Sequence, residues 1–270
     1  MNKLKALILA AGKGTRMESD LPKVLHTVDG KPMVHYSIQA AKDAGASEVC
    51  CIVGYKNELV KRTVYDVVSF AEQKEQLGTG HAVKCAMSFI DSGTDTLILC
   101  GDTPLITGDS LKALYEKHKK ESNGVTVMSA ILEDPKGYGR IIRDADGSFM
   151  AITEDKDCTE EERQTKEVNA GIYIFNSDAL LASLALLKND NAQGEYYLTD
   201  TVGIIRRTGL RVDAMPVADA DEIRGVNTVA QLEEAEELMR RRLAEKGPDG
   251  QVNSPAEEAV FSEMAGDEDN

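Results

Sequence analysis

The stretch that decides the fold is Leu4-Lys5-Ala6-Leu7-Ile8-Leu9-Ala10-Ala11-Gly12-Lys13-Gly14-Thr15-Arg16-Met17, followed by Leu21-Pro22-Lys23. Ala6 to Ala11 is apolar without a break, and a short apolar run ended by glycine is a strand buried on both faces of a parallel sheet. Gly12 and Gly14 come next, with Lys13, Arg16 and Lys23 close by. A glycine turn lets backbone N–H groups approach a phosphate chain, because no Cβ stands in the way. Cationic side chains then neutralise the phosphate charge. Two common phosphate loops are excluded: Met17 stands where the dinucleotide fingerprint needs its third glycine, and no G-x-x-x-x-G-K-[ST] occurs here. A plain strand–turn–helix remains an alternative for a bare G-x-G; the three cations beside it favour an anion.

Outward from this strand, helical and strand patterns alternate about every 15 residues, which indicates βαβ units and a parallel sheet. Helices are expected from Pro32, just inside a helix start, to Gly45, over 57–64 with Asn57 as cap, over 80–87, and over 110–121 with Asp109 near the cap. Strands are expected over 48–53, 67–71, 96–100 and 125–132. Ligands in such sheets bind beyond the carboxyl ends of the strands, where the glycines after the first strand, Gln73 and Asp102 all fall. From Tyr138 the character changes. Two apolar runs flank Asp146-Gly147 and read as a hairpin; with 166–175 they are expected to form a second, antiparallel lobe. Helices over 178–188 and 196–207, the latter capped by Thr199 or Asp200, a strand over 211–217 and a long helix from Val229 to about Glu245 follow. Residues 247–270 hold seven acidic residues and no Lys or Arg, so a disordered tail is expected.

The formal net charge of −15 argues against general nucleic-acid or anionic-membrane binding. No run of 18 apolar residues marks a membrane span. The five cysteines form no C-x-x-C pair, which favours a reduced, cytoplasmic protein over a zinc site.

Several further motifs bear side chains fit for chemistry. Gln73 precedes Gly78-Thr79-Gly80-His81, a loop offering free N–H groups and a hydroxyl to a base edge or a phosphate, or else a helix capped by Thr79. Leu99-Cys100-Gly101-Asp102-Thr103-Pro104 presents a carboxylate after a buried strand, either to a divalent cation or as a turn residue. An unpaired carboxylate there is expected to burden the apo protein. Gly137-Tyr138-Gly139-Arg140, Ile152-Thr153-Glu154 and Val168-Asn169-Ala170-Gly171 read on their own as ordinary loop and turn segments. In Gly225-Val226-Asn227-Thr228, Asn227 suits the cap of the long helix.

Together these motifs, spread from Ala6 to Arg242, resemble the sugar-phosphate nucleotidyltransferases, and among them the uridyltransferases acting on N-acetylglucosamine 1-phosphate. The resemblance implies an α/β, Rossmann-like, mostly parallel sheet flanked by helices with a small antiparallel lobe, in a domain of residues 1–246. It assigns the nucleotide to Leu9, Ala10, Ala11, Gly12, Gly14, Gln73, Gly78 and Thr79, and the sugar to Gly139, Glu154 and Asn169. Arg16 and Lys23 would be catalytic, and Asp102 and Asn227 would hold Mg²⁺. The implied reaction joins UTP to the sugar 1-phosphate and releases pyrophosphate. It needs no general base, because a phosphate monoester loses its second proton near pH ~6. A different sugar 1-phosphate is the alternative; a non-catalytic sugar-nucleotide sensor would have no need of so complete a metal and leaving-group set. The acetyltransferase half of bifunctional relatives, and the β-helix trimer it builds, are expected to be absent. Cys100 departs from the family pattern, which often has an aromatic residue there.

Overall fold

The computed structural model describes residues 3–246; the segment expected to be a disordered tail, 247–270, lies outside the described residues. The chain runs β1 (Leu4–Ala10), β2 (Thr27–Val28), β3 (Lys31–Pro32), α1 (Met33–Asp43), β4 (Glu48–Val53), α2 (Asn57–Val64), β5 (Ser69–Glu72), α3 (Thr79–Cys85) and β6 (Asp95–Cys100). It continues through α4 (Gly108–Glu121), β7 (Val125–Ile131), β8 (Arg140–Arg143), β9 (Phe149–Thr153), β10 (Glu167–Asn176), α5 (Ser177–Leu184), α6 (Thr199–Arg207), β11 (Val212–Pro216) and α7 (Val229–Lys246).

The main sheet has the order β11-β7-β10-β6-β1-β4-β5, with the β8–β9 hairpin attached through β10. Neighbours around β1 are parallel, Ala6 lying beside Val49 of β4 and Leu97 of β6. β1 is apolar throughout its second half because both its faces are covered. Ala6, Ile8 and Ala10 pack with Val34, Ile38 and Leu111 of α1 and α4. Leu7 packs on the other side with Val83, Leu180 and Val202 of α3, α5 and α6. A third apolar cluster joins α7 to the loops above the sheet, through Met17, Met33, Leu105, Val226, Leu238 and Met239.

β10 differs from the expectation. It lies inside the main sheet, antiparallel to both β6 and β7, and only the β8–β9 hairpin forms the small lobe. Its antiparallel sense brings its N-terminal end to the edge where β1, β4, β5 and β6 end. There the ladder with β7 slips between Asn169 and Tyr173, and bulges of this kind re-aim side chains beside functional sites.

Several helix starts also differ. Lys56, with φ 46°, stands ahead of α2 and Asn57 is its first residue, so Asn57 does not cap it. The Thr107 hydroxyl caps α4, with Asp109 inside the first turn. α6 has no side-chain cap. Pro32 lies just outside α1 and ends β3. At α7 the Thr228 hydroxyl accepts the Gln231 N–H at 3.3 Å, which frees the Asn227 side chain.

Candidate active site

The loop after β1 is held from both sides. The Gly101 N–H donates to the Leu9 carbonyl at 3.0 Å and the Tyr55 N–H to the Ala11 carbonyl at 3.1 Å. These bonds tie Leu9, Ala10 and Ala11 to the ends of β6 and β4 and leave Gly12 with open space around it. Gly14 has φ 69°, and a Cβ there would lie 2.5 Å from the Lys23 Cβ, so only glycine lets the loop fold against the Lys23 stem. Met17 is 2 % exposed and anchors the loop under α7. Its neighbour Arg16 is exposed, with no hydrogen bond or ion pair among the described residues. The burial of Met17 thus leaves a free guanidinium at the mouth of the glycine loop.

Lys23 carries its ammonium to the end of β6, where it pairs with Asp102 Oδ2 and donates to Asn227 Oδ1 at 2.9 Å. The Asp102 carboxylate is therefore not unpaired, contrary to expectation. The Val226 N–H donates to the Asp102 carbonyl at 2.9 Å, which stitches the loop bearing Asn227 onto the strand end. Two oxygens from positions 125 residues apart in the chain thus converge on one cation. No group of three or more His, Cys, Asp or Glu among the described residues could hold a metal ion by itself. Two oxygen donors alone suit a hard cation that takes its remaining ligands from water and phosphate, so the donor set fits Mg²⁺ better than a softer metal.

A second group of candidate residues is built on β5 and α3. Gln73 is 4 % exposed; its amide donates to the Gly78 carbonyl at 3.1 Å and meets His81 Nδ1 at 3.1 Å. His81 is thus a structural partner of Gln73. Thr79 does not cap α3. Its hydroxyl accepts the Leu198 N–H at 3.1 Å, while Gly78, at φ 108°, precedes the helix. A Cβ on Gly78 would lie 2.6 Å from the Tyr196 carbonyl oxygen. The Gly-Thr-Gly loop is therefore shaped by the 195–198 backbone laid across it.

At the start of α6, the Thr199 hydroxyl donates to Glu154 Oε1 at 2.9 Å. Burial first, then the nearby carboxylates of Asp157, Asp200 and Asp155, hold the Glu154 carboxyl above its ordinary range, against the Thr199 hydrogen bond. A Cβ on Gly139 would stand 3.4 Å from Glu154 Oε2, and the Gly139 carbonyl accepts the Asn169 N–H at 2.8 Å. Asn169 donates to the Tyr173 hydroxyl at 2.7 Å and accepts the Gly171 N–H at 3.0 Å. Cys100 fits against this turn: its Sγ reaches the Gly171 carbonyl at 3.7 Å, and burial pushes its thiol up to about 12.

These contacts form a circuit around the carboxyl edge of the sheet. It runs from Leu9 through Gly101, Cys100, Gly171, Asn169, Gly139, Glu154 and Thr199 to Leu198 and Thr79. Asp102 follows Gly101 in it, and Lys23 and Asn227 join it there through Asp102. Sequence reasoning passed over Met17, Tyr173 and Thr199. Tyr173 reads as one more member of the apolar run Ile172–Phe175, and Thr199 as a helix cap. The sole hint is a hydroxyl inside an otherwise apolar strand.

A mostly parallel sheet with a cation-flanked glycine loop and two carboxyl-edge oxygens beside it defines an α/β protein built to handle phosphates. The profile of the nucleotidyl transferase family matches residues 5–218, and the chain belongs to that family. A protein named bifunctional protein GlmU in Caldanaerobacter subterraneus subsp. tengcongensis is 52 % identical over 246 residues, covering 91 % of this chain and 54 % of that protein. Its namesake in Clostridioides difficile is 48 % identical over 241 residues, covering 89 % and 52 % respectively. The chain spans about half the length of the curated relatives it matches. Two solved structures share the fold at 20 % identity. UDP-glucose pyrophosphorylase complexed with UDP-glucose has a TM-score of 0.72 over 90 % of this chain and 100 % of its own. A glucose-1-phosphate thymidylyltransferase, so assigned in Bacillus anthracis, has a TM-score of 0.71 over 88 % and 95 %.

Proposed function

We propose that this chain transfers the uridylyl group of UTP to the phosphate of N-acetylglucosamine 1-phosphate, forming UDP-N-acetylglucosamine and pyrophosphate. The observation that carries the proposal is Lys23 held between Asp102 and Asn227 beside the glycine loop. A reaction between two phosphate anions needs that concentration of charge. Asp102 and Asn227 would hold Mg²⁺, which when bound supplies neutralisation of phosphate charge. Open backbone at Gly12 receives the phosphate chain. The free Arg16 guanidinium can grip phosphate oxygens in a bidentate fork. Lys23, on a flexible stem, can follow charge as it builds on the departing pyrophosphate. The attacking phosphate is already ionised near neutral pH, so the site needs orientation more than a base.

The nucleotide and sugar assignments rest on further residues. Gln73, whose amide nitrogen is held by Gly78 and His81, keeps its Oε1 to accept from the ring N–H of a pyrimidine such as uracil. Glu154, Asn169 and the close backbone of Gly139 offer partners to sugar hydroxyls. N-acetylglucosamine is favoured by the resemblance of these motifs to the corresponding uridyltransferases, supported by identities of 52 % and 48 % to proteins named GlmU. A cytoplasmic setting is supported by five cysteines that are all free thiols. No helix among the described residues is long and apolar enough to cross a membrane.

Pyrophosphate release measured over a panel of nucleoside triphosphates and sugar 1-phosphates tests the proposal. UTP with N-acetylglucosamine 1-phosphate should be turned over fastest. Faster turnover with another sugar phosphate would refute the sugar assignment, and no release from any pair would refute the reaction.

A further inference from the structure

We propose that Arg140 is a positioning residue that sets the spacing of the three sugar-facing segments, and that affinity for the sugar 1-phosphate depends on it although it need not touch the sugar. The inference rests on the function proposed above.

Arg140 begins β8 and is 3 % exposed. Its Nη1 donates to the Tyr138 carbonyl, and its Nη2 lies 3.1 Å from Asp155 Oδ1. Its Nε is buried and meets no partner among the described residues. A buried guanidinium with an unmet donor is costly, and an apolar side chain of similar volume would often serve packing as well. The charge is therefore better explained by what it holds. Tyr138 is joined to Gly139 and Asp155 to Glu154, so the two arms of the guanidinium fix both neighbours. The Arg140 backbone lies opposite Val168 in the ladder, next to Asn169, whose N–H bonds to Gly139. One residue thus meets all three segments. Arg140 also answers the charge of Asp155, which stands near Glu154 along with Asp157 and Asp200.

The test compares wild type, Arg140→Gln, Arg140→Lys, Asp155→Asn and the double variant R140Q/D155N, with KM measured for each substrate. A displaced binding geometry loses roughly 10-fold or more, so R140Q should raise KM for the sugar 1-phosphate by that factor and KM for UTP by less than about twofold. R140K should not rescue, because one ammonium cannot replace the planar fork. The double variant should be no worse than R140Q alone, since the two residues act as one unit. Equal rises in both KM values, or an unchanged sugar KM, would overturn the inference. Should R140Q fail to fold, D155N, at a partly exposed carboxylate, makes the same comparison. Direct titration with UDP-N-acetylglucosamine and with UTP separates the two levels. Selective loss of the sugar nucleotide in the variants supports the clamp, and a wild type that neither binds nor turns over the sugar removes the functional reading and the clamp with it.

Discussion

Lys23 ties together two oxygens, on Asp102 and Asn227, that stand 125 residues apart in the chain. Asp102→Asn keeps the shape and one acceptor for Lys23 but removes the negative charge. Turnover should fall at least ~10²-fold, the scale of one strong electrostatic contact in a transition state, while thermal unfolding of the free protein stays close to wild type. Near-normal turnover at ordinary Mg²⁺ would take Asp102 out of the mechanism. Glu154 gives a pH test. Its carboxyl sits above the ordinary range chiefly through burial, so the native state holds that proton more tightly than the unfolded chain does. Between the ordinary glutamate value and the raised one, stability falls as pH rises, and above that window the ionised Glu154 remains a standing cost. Glu154→Gln, which keeps an acceptor for Thr199, should therefore raise the melting temperature at neutral pH. It should also weaken sugar binding, and the rise in sugar KM that protonation of the wild-type Glu154 carboxylate is expected to bring on acidification should be absent from it. A lowered melting temperature with unchanged sugar KM would contradict this account.

The start of α7 separates two roles that one motif combines in the sequence. Thr228 caps the helix and Asn227 turns to Lys23. Thr228→Ala should cost about 1 kcal/mol, the usual worth of a capping hydroxyl, with modest loss of activity. Asn227→Ala should do the reverse. Denaturant unfolding paired with steady-state rates on both variants checks the split, and a large stability loss on Asn227→Ala would return that residue to a capping role. The same helix shows what the sequence conveyed and what it did not. The strands β1, β4 and β6 were legible because burial on both faces demands continuous apolar runs. The hairpin was legible from Asp146-Gly147. The place of β10 was not, because strand order is settled by distant partners and leaves no local mark. Asn227 was legible as both cap and site residue, and only the position of Thr228 decides between them.

On the scale of the whole molecule, a chain of net charge −15 that acts as proposed must attract two phosphate-bearing anions. It does so by gathering Arg16, Lys23 and the open glycine backbone at one edge of the sheet, while many of its other cations are spent in ion pairs such as Lys117–Asp213 and Arg143–Glu167. Gly12, Gln73 and Asp102 could be picked out as a candidate site because each follows a strand at that edge, whereas Asn169 was picked out only through the family resemblance. Arg140, Tyr173 and Thr199 could not, because their meaning lies in contacts with residues far along the chain. The central claim is that a uridylyl group, and not a terminal phosphate, moves to the sugar phosphate. The direct measurement follows UTP labelled at the α-phosphorus and, separately, at the γ-phosphorus, incubated with N-acetylglucosamine 1-phosphate and Mg²⁺. α-Label should appear in the sugar nucleotide and γ-label only in pyrophosphate. Transfer of γ-label to the sugar phosphate, or no movement of α-label, would contradict it.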